Sequence, residues 1–363
     1  IFAVEDPVAA LGALANRWRH ALGAHVIGVT GSTGKTSTKD ILAALLGHSM
    51  PVVATPANRN TEIGLPLTVL SAPRGTRALV LEMAMRGAGQ IDELAQIAEP
   101  DVGCIINVGP VHLEQLGSIE GVAAAKAELI AALGPHATAI LPAGESLLGP
   151  HLRDDITTVT FGDGGDVRLV EEDAAVGLTI ATPKGQTVIR PSFSERYLTS
   201  NLLAAVACAQ AIGVDASGEL IVNFSALRGE VTEVLGGVTL INDCYNANPV
   251  SMRAAIDNLA HAGGRRIAVL GGMGELGPDS ERFHREAAEH AGERGIETLV
   301  TVGTLAEAYA PGYAGTTQHV GTPDEAAQMI RQLAAAGDTV LVKGSRSVGL
   351  ERVAEALIEE AGG

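Results

Sequence analysis

The sequence predicts an α/β protein with two domains. We expect a P-loop-type doubly wound, mostly parallel sheet with a small antiparallel side sheet, followed by a second α/β domain. Three observations predict this fold. Apolar, β-branched runs alternate with longer helical patterns up to residue 142, residues 157–193 contain short alternating segments separated by Gly, Asp and Pro, and the first alternation restarts near residue 266. Strands that alternate with helices build parallel sheets.

The elements of the first domain follow in a regular order. Apolar spacing from about Pro7 to Leu22 predicts a lead-in helix within residues 1–22. Strands are predicted in the stretches HVIGVTG, ALVLEMA, VGCIINVG and ATAILPA, with helices at 35–47, 89–98 and 118–133 between them. Antiparallel strands such as VGLTIATP and GQTVIRPSF follow, then a helix at about 197–212 and a strand in GGVTLINDCYNANP.

The second domain repeats the alternation. Strands in IAVLGGM, ETLVTVG and DTVLVKG alternate with helices at 280–294, 323–336 and 346–361. The stretch HAGGRR at 261–266 is typical of a linker. We therefore predict domains at 1–262 and 263–363, with a mobile hinge near Gly263 and Gly264.

Composition and charge argue against a membrane-spanning protein and against a nucleic-acid-binding protein. No apolar run reaches the roughly 18 residues of a membrane helix, so we expect no membrane insertion. A net charge of -17 argues against binding to nucleic acid. The three cysteines, Cys104, Cys208 and Cys244, are widely spaced in apolar or small-residue settings. That usage predicts buried, reduced thiols and a cytoplasmic protein.

The stretch GVTGSTGKTS follows a strand and opens a helix. In that context backbone N–H groups and the helix N-terminus cradle phosphate oxygens. Lys35 would reach the β- and γ-phosphates, and the Thr36 hydroxyl would bind Mg²⁺. Val29 stands where the longer motif has Gly, so the loop is a shortened variant. The predicted nucleotide contacts are Gly31, Ser32, Thr33, Gly34, Lys35, Thr36 and Ser37.

This loop leaves alternatives open. A glycine-rich turn that only caps a helix has the same composition. Kinases, GTPases, motor ATPases and ligases can all use such a loop, so it does not identify the reaction.

Three further residues narrow the chemistry. Glu82 lies at the C-terminal end of an apolar strand and His112 just past another, at the sheet edge where open α/β sheets bind ligands. A carboxylate and an imidazole there could bind a divalent metal. Lys126 is the only cation of an alanine-rich helix, and a lysine near metal favours deprotonation or a charge-reversing modification. The alternatives are a solvated carboxylate, a capping or core histidine, and a solvated lysine.

Several motifs together resemble the Mur ligases. They are TGSTGKTS, EMAMRGAGQI, HLEQLGSIEGVAAAKAE, INDCYNANPVSMRAA, MGELG followed by HREAA, and VLVKGSRSVGLERV, and they cover nearly the whole chain in order. The family has an N-terminal domain that binds the UDP-sugar, a central ATPase and a Rossmann-like C-terminal domain. This chain is similar to the last two. It begins with Ile1, and we expect upstream residues to be missing.

The resemblance implies a reaction. ATP would phosphorylate the peptide carboxylate to an acyl phosphate, which an amine attacks to form an amide. The motifs YNANP and KGSRS favour the small-molecule substrates UDP-MurNAc-tripeptide and D-Ala-D-Ala. Two Mg²⁺ ions are implied, one held by Thr36 and Glu82, the other by His112 and a carbamate on Lys126. An unmodified ammonium would repel that ion, whereas a carbamate attracts it.

The resemblance also implies roles for other residues. The catalytic set would be Lys35, Lys126, His112 and Arg228. Nucleotide contacts would include Asn201, Arg228, Asp243 and Asn246, although Asn201 could be a helix cap and Arg228 a surface ion pair. The peptide would contact Asn58, Asn60 and Thr61, and the dipeptide carboxylate would lie near Lys343, Ser345 and Arg346. We expect a monomer.

The sequence departs from the family pattern at three places. Tyr197 and Leu198 replace a His-Asn pair, Gly272 stands where an Asp is common, and Thr61 replaces the second Asn of a pair. These changes leave open a Mur-related or folylpolyglutamate-like ligase with another acid and amine. A ligase-derived nucleotide-binding regulatory protein is a third hypothesis, although Lys35, Glu82, His112 and Lys126 argue against it.

Overall fold

The computed structural model describes residues 3–234 and 236–359. The chain forms two compact units. The first contains the chain up to Gly109 and Gln115–Ser225, and the second contains Pro110–Glu114 and the chain from Ala226 onward. The predicted α/β fold class is confirmed.

The first unit is built on a six-stranded parallel sheet. Its strands are β1 His25–Thr30, β2 Val52–Ala54, β3 Ala78–Glu82, β4 Val102–Ile105, β5 Thr138–Pro142 and β6 Thr157–Phe161, in the order β2-β3-β1-β4-β5-β6. The helices are α1 Pro7–Leu22, α2 Lys35–Gly47, α3 Gly64–Ser71, α4 Gln90–Ala98, the short α5 Leu113–Leu116 where the two units divide, α6 Ile119–Ala132 and α7 Arg196–Ala211.

A small side sheet accompanies it. Its strands are β7 Arg168–Asp173, β8 Gly177–Thr182, β9 Gly185–Pro191 and β10 Gly218–Leu220. The pairs β7/β8 and β8/β9 are antiparallel, and β10 is parallel to β9. The predicted side sheet is therefore present.

Successive side chains of β1 point to opposite faces of the main sheet, and they show which helix covers each face. Ile27 and Val29 are fully buried in one core with Ile41 and Leu42 of α2 and with residues of α7. Gly28 faces the other way, where a Cβ atom would lie 3.3 Å from Leu129 of α6. Because α2 begins at the carboxyl end of β1, this packing fixes the phosphate loop at that edge of the sheet.

The second unit is a six-stranded sheet with helices. Its strands are β11 Glu230–Val234, β12 Val238–Asn242, β13 Arg266–Gly271, β14 Thr298–Val302, β15 Thr316–Val320 and β16 Thr339–Lys343, in the order β11-β12-β16-β13-β14-β15. Only β11 is antiparallel to its neighbour. The helices are α8 Pro249–Ala260, α9 Ser280–Glu293, α10 Pro323–Leu333 and α11 Glu351–Glu359.

The boundary between the units differs from the predicted 262/263. The second unit begins at Ala226 because β12 pairs with β16, with Thr239 opposite Thr339. Gly264 lies within this unit, where a Cβ atom would be 1.7 Å from the Gly337 carbonyl oxygen. The stretch at 261–266 is therefore a close-packed turn between α8 and β13, and the predicted hinge there is not supported.

Other elements also differ from expectation. The strands β2, β10, β11 and β15 and the helix α3 were not predicted, and β6 extends the parallel sheet although its segment was expected to be antiparallel. The last helix begins at Glu351 instead of 346, and residues 360 and 361 of its predicted end lie outside the described residues.

Two predictions from composition can be compared with the structure. Cys104, Cys208 and Cys244 are buried and unpaired, as expected. In the described residues, no helix is both long enough and apolar enough to cross a membrane.

Candidate nucleotide and ligase site

The phosphate loop connects β1 to α2, and two glycines shape it. Gly34 has φ 79°, a left-handed conformation that favours glycine, and a Cβ atom there would lie 2.8 Å from Asn201 Oδ1. A Cβ atom on Gly31 would lie 3.0 Å from Ile106. The structure thus brings Asn201 of α7 against the loop. Asn201 lies within α7, so the alternative of a helix cap is wrong.

Asn107, which was not predicted as a site residue, holds the loop in shape. Its Oδ1 accepts hydrogen bonds from the backbone N–H groups of Ser32 (3.1 Å) and Thr33 (3.0 Å), and its Nδ2 donates to the Thr33 carbonyl (3.2 Å). The Ser32 hydroxyl donates to the Gly109 carbonyl at 2.9 Å. Its position could have indicated this role, because Asn107 is a polar residue just past a buried strand, at the sheet edge where the loop lies.

Lys35 lies at the start of α2, where its ammonium donates to the Gly31 carbonyl at 2.8 Å. This contact folds the side chain back along the loop. A lysine that lies along the loop backbone in this way is placed to contact phosphate oxygens cradled by the same backbone.

Glu82 ends β3 beside the loop, and it is only 2% exposed. The β1–β3 register sets Glu82 opposite Val29. Its Oε2 accepts from the Thr36 hydroxyl at 2.9 Å, and its Oε1 accepts from Asn60 Nδ2 at 2.8 Å. The alternative of a solvated strand-end carboxylate is therefore wrong. The geometry brings Thr36 and Glu82 together, as the predicted metal pair requires.

Asn60 was expected to face a peptide substrate, but its side-chain amide is engaged by Glu82. Its neighbours Asn58 and Thr61 are exposed in the same loop. A substrate contact stays a prediction for all three residues, and Asn60 also orients the Glu82 carboxylate.

Lys126 is 2% exposed on α6, so the alternative of a solvated lysine is wrong. Its alanine neighbours Ala123, Ala125 and Ala127 are buried as well. Burial, and secondly the positive charge of Lys35, lower the pKa of Lys126 well below its ordinary value. In the described part of the chain, no ion-pair partner compensates its charge. Both effects shift the equilibrium from the ammonium toward the neutral amine.

His112 belongs to the segment Pro110–Glu114 of the second unit. It has φ 53°, and its Nδ1 forms a hydrogen bond with the Glu275 carboxylate. The backbone supports this pair, because Leu113 N–H donates to the Glu275 carbonyl at 3.1 Å. Glu275 lies in the quoted MGELG stretch, to which no role was assigned. A metal-binding role for His112 stays a prediction.

Four other predicted residues form one cluster in the second unit. Lys343 is 1% exposed, and its ammonium donates to Asp243 Oδ2 (2.6 Å) and to the Asn246 carbonyl (3.2 Å). The Ser345 hydroxyl accepts from Gly274 N–H at 2.8 Å and donates to the Ala247 carbonyl at 3.3 Å. The strand ends of β12, β13 and β16 therefore converge on a single polar site.

The two arginines of this unit differ in their contacts. Arg228 lies over the Tyr245 ring, 4.0 Å from its centroid, a cation–π contact rather than the surface ion pair offered as the alternative. Arg346 is exposed and pairs with Glu351 at 3.3 Å. Each guanidinium keeps donors that could bind a phosphate or a carboxylate.

His284 is a second residue that sequence reasoning missed. It is fully buried on α9, its Nε2 accepts from Met273 N–H at 2.8 Å, and its Nδ1 donates to the Ser280 carbonyl at 2.6 Å. Burial lowers the pKa of His284. The ring is therefore neutral and fixes the backbone between β13 and α9.

The structure also accounts for one departure from the family pattern. A Cβ atom on Gly272 would lie 2.6 Å from Leu305 Cβ, so an aspartate does not fit there without repacking. Leu198 is buried, at 4% exposed, and Tyr197 lies one residue before it on α7. Gly272 is thus explained by packing against Leu305.

No group of three or more His, Cys, Asp or Glu side chains suited to a metal occurs among residues 3–234 and 236–359. Mg²⁺ commonly takes only one or two protein carboxylates and completes its shell with water and phosphate oxygens. The donor set of Thr36 and Glu82 beside a phosphate loop fits Mg²⁺ in that manner.

The loop, the Lys35–Thr36–Glu82 grouping and a second α/β unit together define a P-loop nucleotide-binding enzyme. Residues 29–209 match the Mur ligase middle domain, and residues 227–346 match the Mur ligase, glutamate ligase domain. The chain belongs to the Mur ligase family, so the predicted family and the predicted ligase class are confirmed.

Two relatives and one solved structure illustrate the similarity. The UDP-N-acetylmuramoyl-tripeptide–D-alanyl-D-alanine ligase of Bacillus subtilis (strain 168) is 36% identical, and the alignment covers 99% of this chain and 81% of that protein. The ligase of the same name from Mycobacterium tuberculosis (strain CDC 1551 / Oshkosh) is 37% identical, with 93% and 74% covered. The crystal structure of MurF ligase from Thermotoga maritima in complex with ADP has a TM-score of 0.88 at 31% identity, with 100% and 86% covered.

Proposed function

We propose that this protein uses ATP to join D-Ala-D-Ala to UDP-MurNAc-tripeptide, with release of ADP and phosphate. Its relatives that carry this name are similar over nearly the whole chain. The single observation from geometry that carries the proposal is the buried, uncompensated Lys126 near Lys35. A generic P-loop kinase or GTPase gives no reason to bury such a lysine.

The first unit supplies the groups for carboxylate activation. The peptide carboxylate attacks the γ-phosphorus of ATP, the bond to the β-γ bridging oxygen breaks, and an acyl phosphate and ADP form. The loop N–H groups and Lys35 stabilise the negative charge on the transferred group. Asn201 contacts the nucleotide from α7. Thr36 and Glu82 would hold one Mg²⁺, which would neutralise charge on the phosphate oxygens when bound.

Lys126 supports the proposal of a carbamate. Its amine nitrogen adds to CO₂, a C–N bond forms, and one proton leaves. This step requires the neutral amine, which the lowered pKa of Lys126 provides. The carbamate and His112 would hold a second Mg²⁺.

The second unit supplies the groups for the incoming dipeptide. Its amine attacks the acyl carbon, phosphate leaves, and the amine loses a proton. We assign the dipeptide carboxylate to Lys343, Ser345 and Arg346, where a cation and a backbone turn converge. We assign Arg228, Asp243 and Asn246 to the nucleotide. We also propose that the protein acts in the cytoplasm as a monomer.

The test is phosphate release from ATP in Mg²⁺ and bicarbonate, with each substrate alone and with both. We expect release that requires both, together with a pentapeptide product by mass spectrometry. Lys126→Ala should lower the rate about 100-fold, the scale of losing a charge-stabilising group. Folded, ATP-binding protein that releases no phosphate with this pair, but does so with another acid and amine, would contradict the assigned substrates.

A further inference from the structure

Lys39 is a buried cation with no role in the mechanism above. It lies one turn after Lys35 on α2 and is 2% exposed. Its ammonium donates to the Thr55 carbonyl at 2.9 Å and pairs with Asp40 Oδ1 at 2.8 Å. A buried ammonium costs several kcal/mol unless it is well paired, and apolar side chains fill most of the neighbouring core positions of α2.

The partner of Lys39 connects it to the candidate metal site. Thr55 directly follows β2, and its Oγ1 accepts a hydrogen bond from Glu82 N–H at 2.9 Å. Lys39 therefore fixes the backbone of Thr55, and the Thr55 hydroxyl in turn fixes the backbone of Glu82. The carboxylate of Glu82 contacts Thr36, on the same helix as Lys39. Helix α2 thus positions Glu82 in two ways. Thr36 hydrogen-bonds to its side chain, and Lys39 acts on its main chain through Thr55.

A second set of contacts connects Lys39 and Asp40 to Ser225, the last residue of the first unit. Asp40 Oδ2 accepts from Ser225 N–H at 2.9 Å, and the Lys39 ammonium lies 3.4 Å from Ser225 Oγ. Asp40 is therefore oriented by Ser225 while it compensates the charge of Lys39. This arrangement explains how the ammonium is kept buried and fixed in direction.

We propose that Lys39 is a positioning residue that fixes, through Thr55, the strand end carrying Glu82. Its role toward Mg²⁺ rests on the proposed function, in which Glu82 binds that ion. The geometry itself does not depend on any ligand. Groups that hydrogen-bond to metal ligands typically change metal affinity roughly 10- to 100-fold when they are removed.

The test compares Lys39→Met with Leu45→Ala, a cavity-forming change in the same helix whose apolar side chain forms no hydrogen bond to Thr55 or Glu82. Hydrogen exchange at the Glu82 amide is measured in protein without nucleotide. Calorimetry then gives the Mg²⁺ concentration required for ADP binding. We expect Lys39→Met to accelerate exchange at Glu82 and to raise the Mg²⁺ requirement roughly 10-fold or more. Leu45→Ala should lower the melting temperature with neither effect.

A melting-temperature loss in Lys39→Met with unchanged exchange at Glu82 would overturn the proposal, because it would make the lysine a purely structural ion pair. Exchange that accelerates without any Mg²⁺ effect would confirm the contact but contradict the metal role of Glu82. If Lys39→Met does not fold, Thr55→Val removes the next link of the same connection, the hydrogen bond from Glu82 N–H to Thr55 Oγ1. It should reproduce both changes, and its failure to do so would equally overturn the proposal.

Discussion

Lys126 is a buried lysine, and burial disfavours the positive charge that its side chain ordinarily carries. Its pKa lies well below 10.5 in the folded chain, whereas the unfolded chain binds the proton normally. Between these two values the unfolded state holds more protons, so the free energy of unfolding should rise with pH, by up to about 1.4 kcal/mol per pH unit for one proton. Lys126→Met should remove this slope in CO₂-free buffer, as measured by urea unfolding at several pH values.

An exposed lysine provides the control for this measurement. Lys184 has a half-exposed side chain, and Lys184→Met should leave the slope as it is. An equal slope in wild type and Lys126→Met would mean that the folded protein tolerates the ammonium, and the argument for a neutral amine would fail.

The junction of the phosphate loop and α2 depends on Gly34. Gly34→Ala adds a Cβ atom in a left-handed conformation and within 2.8 Å of Asn201. We expect a loss of about 1 kcal/mol or more in stability and weaker ADP binding by calorimetry. Gly47→Ala, at the other end of the helix, meets no atom within 4 Å and should change neither quantity adversely. Equal ADP binding in both variants would show that the loop adapts.

The loop between β13 and α9 depends on His284. Because burial lowers its pKa below 6.5, the unfolded state binds the proton first on acidification. Stability should therefore fall as pH drops below 6.5 and until the folded-state pKa is reached. His284→Leu should remove this pH dependence and cost about 1–3 kcal/mol, since Met273 N–H loses its acceptor. Chemical unfolding between pH 5 and 8 measures both, and an unchanged pH profile in the variant would contradict the assignment.

At the level of elements, the sequence predicted the strands and helices with strong periodicity. It did not predict which side chains from different elements contact one another. The alternation of apolar runs identified β1, β3, β4 and β5 because each is buried on both faces. The contact of Asn60 with Glu82 was not predictable, since it depends on how a loop returns to a strand 22 residues away. Motifs identified Glu82 and Lys126, but only packing shows that both are buried.

At the level of the whole molecule, the boundary was the main error of sequence reasoning. A glycine-rich stretch after α8 has the composition of a linker, yet β12 and α8 before it belong to the second sheet and its core. Strand neighbours in a parallel sheet are distant in sequence, so composition cannot assign a strand to one sheet or another. The match to the Mur ligase, glutamate ligase domain begins instead at residue 227, in agreement with the observed unit.

The revised boundary predicts how fragments fold. A fragment of residues 226–363 keeps β12 between β11 and β16 and keeps Met252, Ile256 and Leu259 of α8 in the core. A fragment of residues 263–363 loses all of these and exposes the edge of β16. We expect cooperative thermal unfolding by calorimetry for the longer fragment and none for the shorter one, because a small domain cannot lose one core layer and remain stable. A cooperative transition in the shorter fragment would restore the boundary at 262/263 and make β12 and α8 an accessory to an already stable sheet.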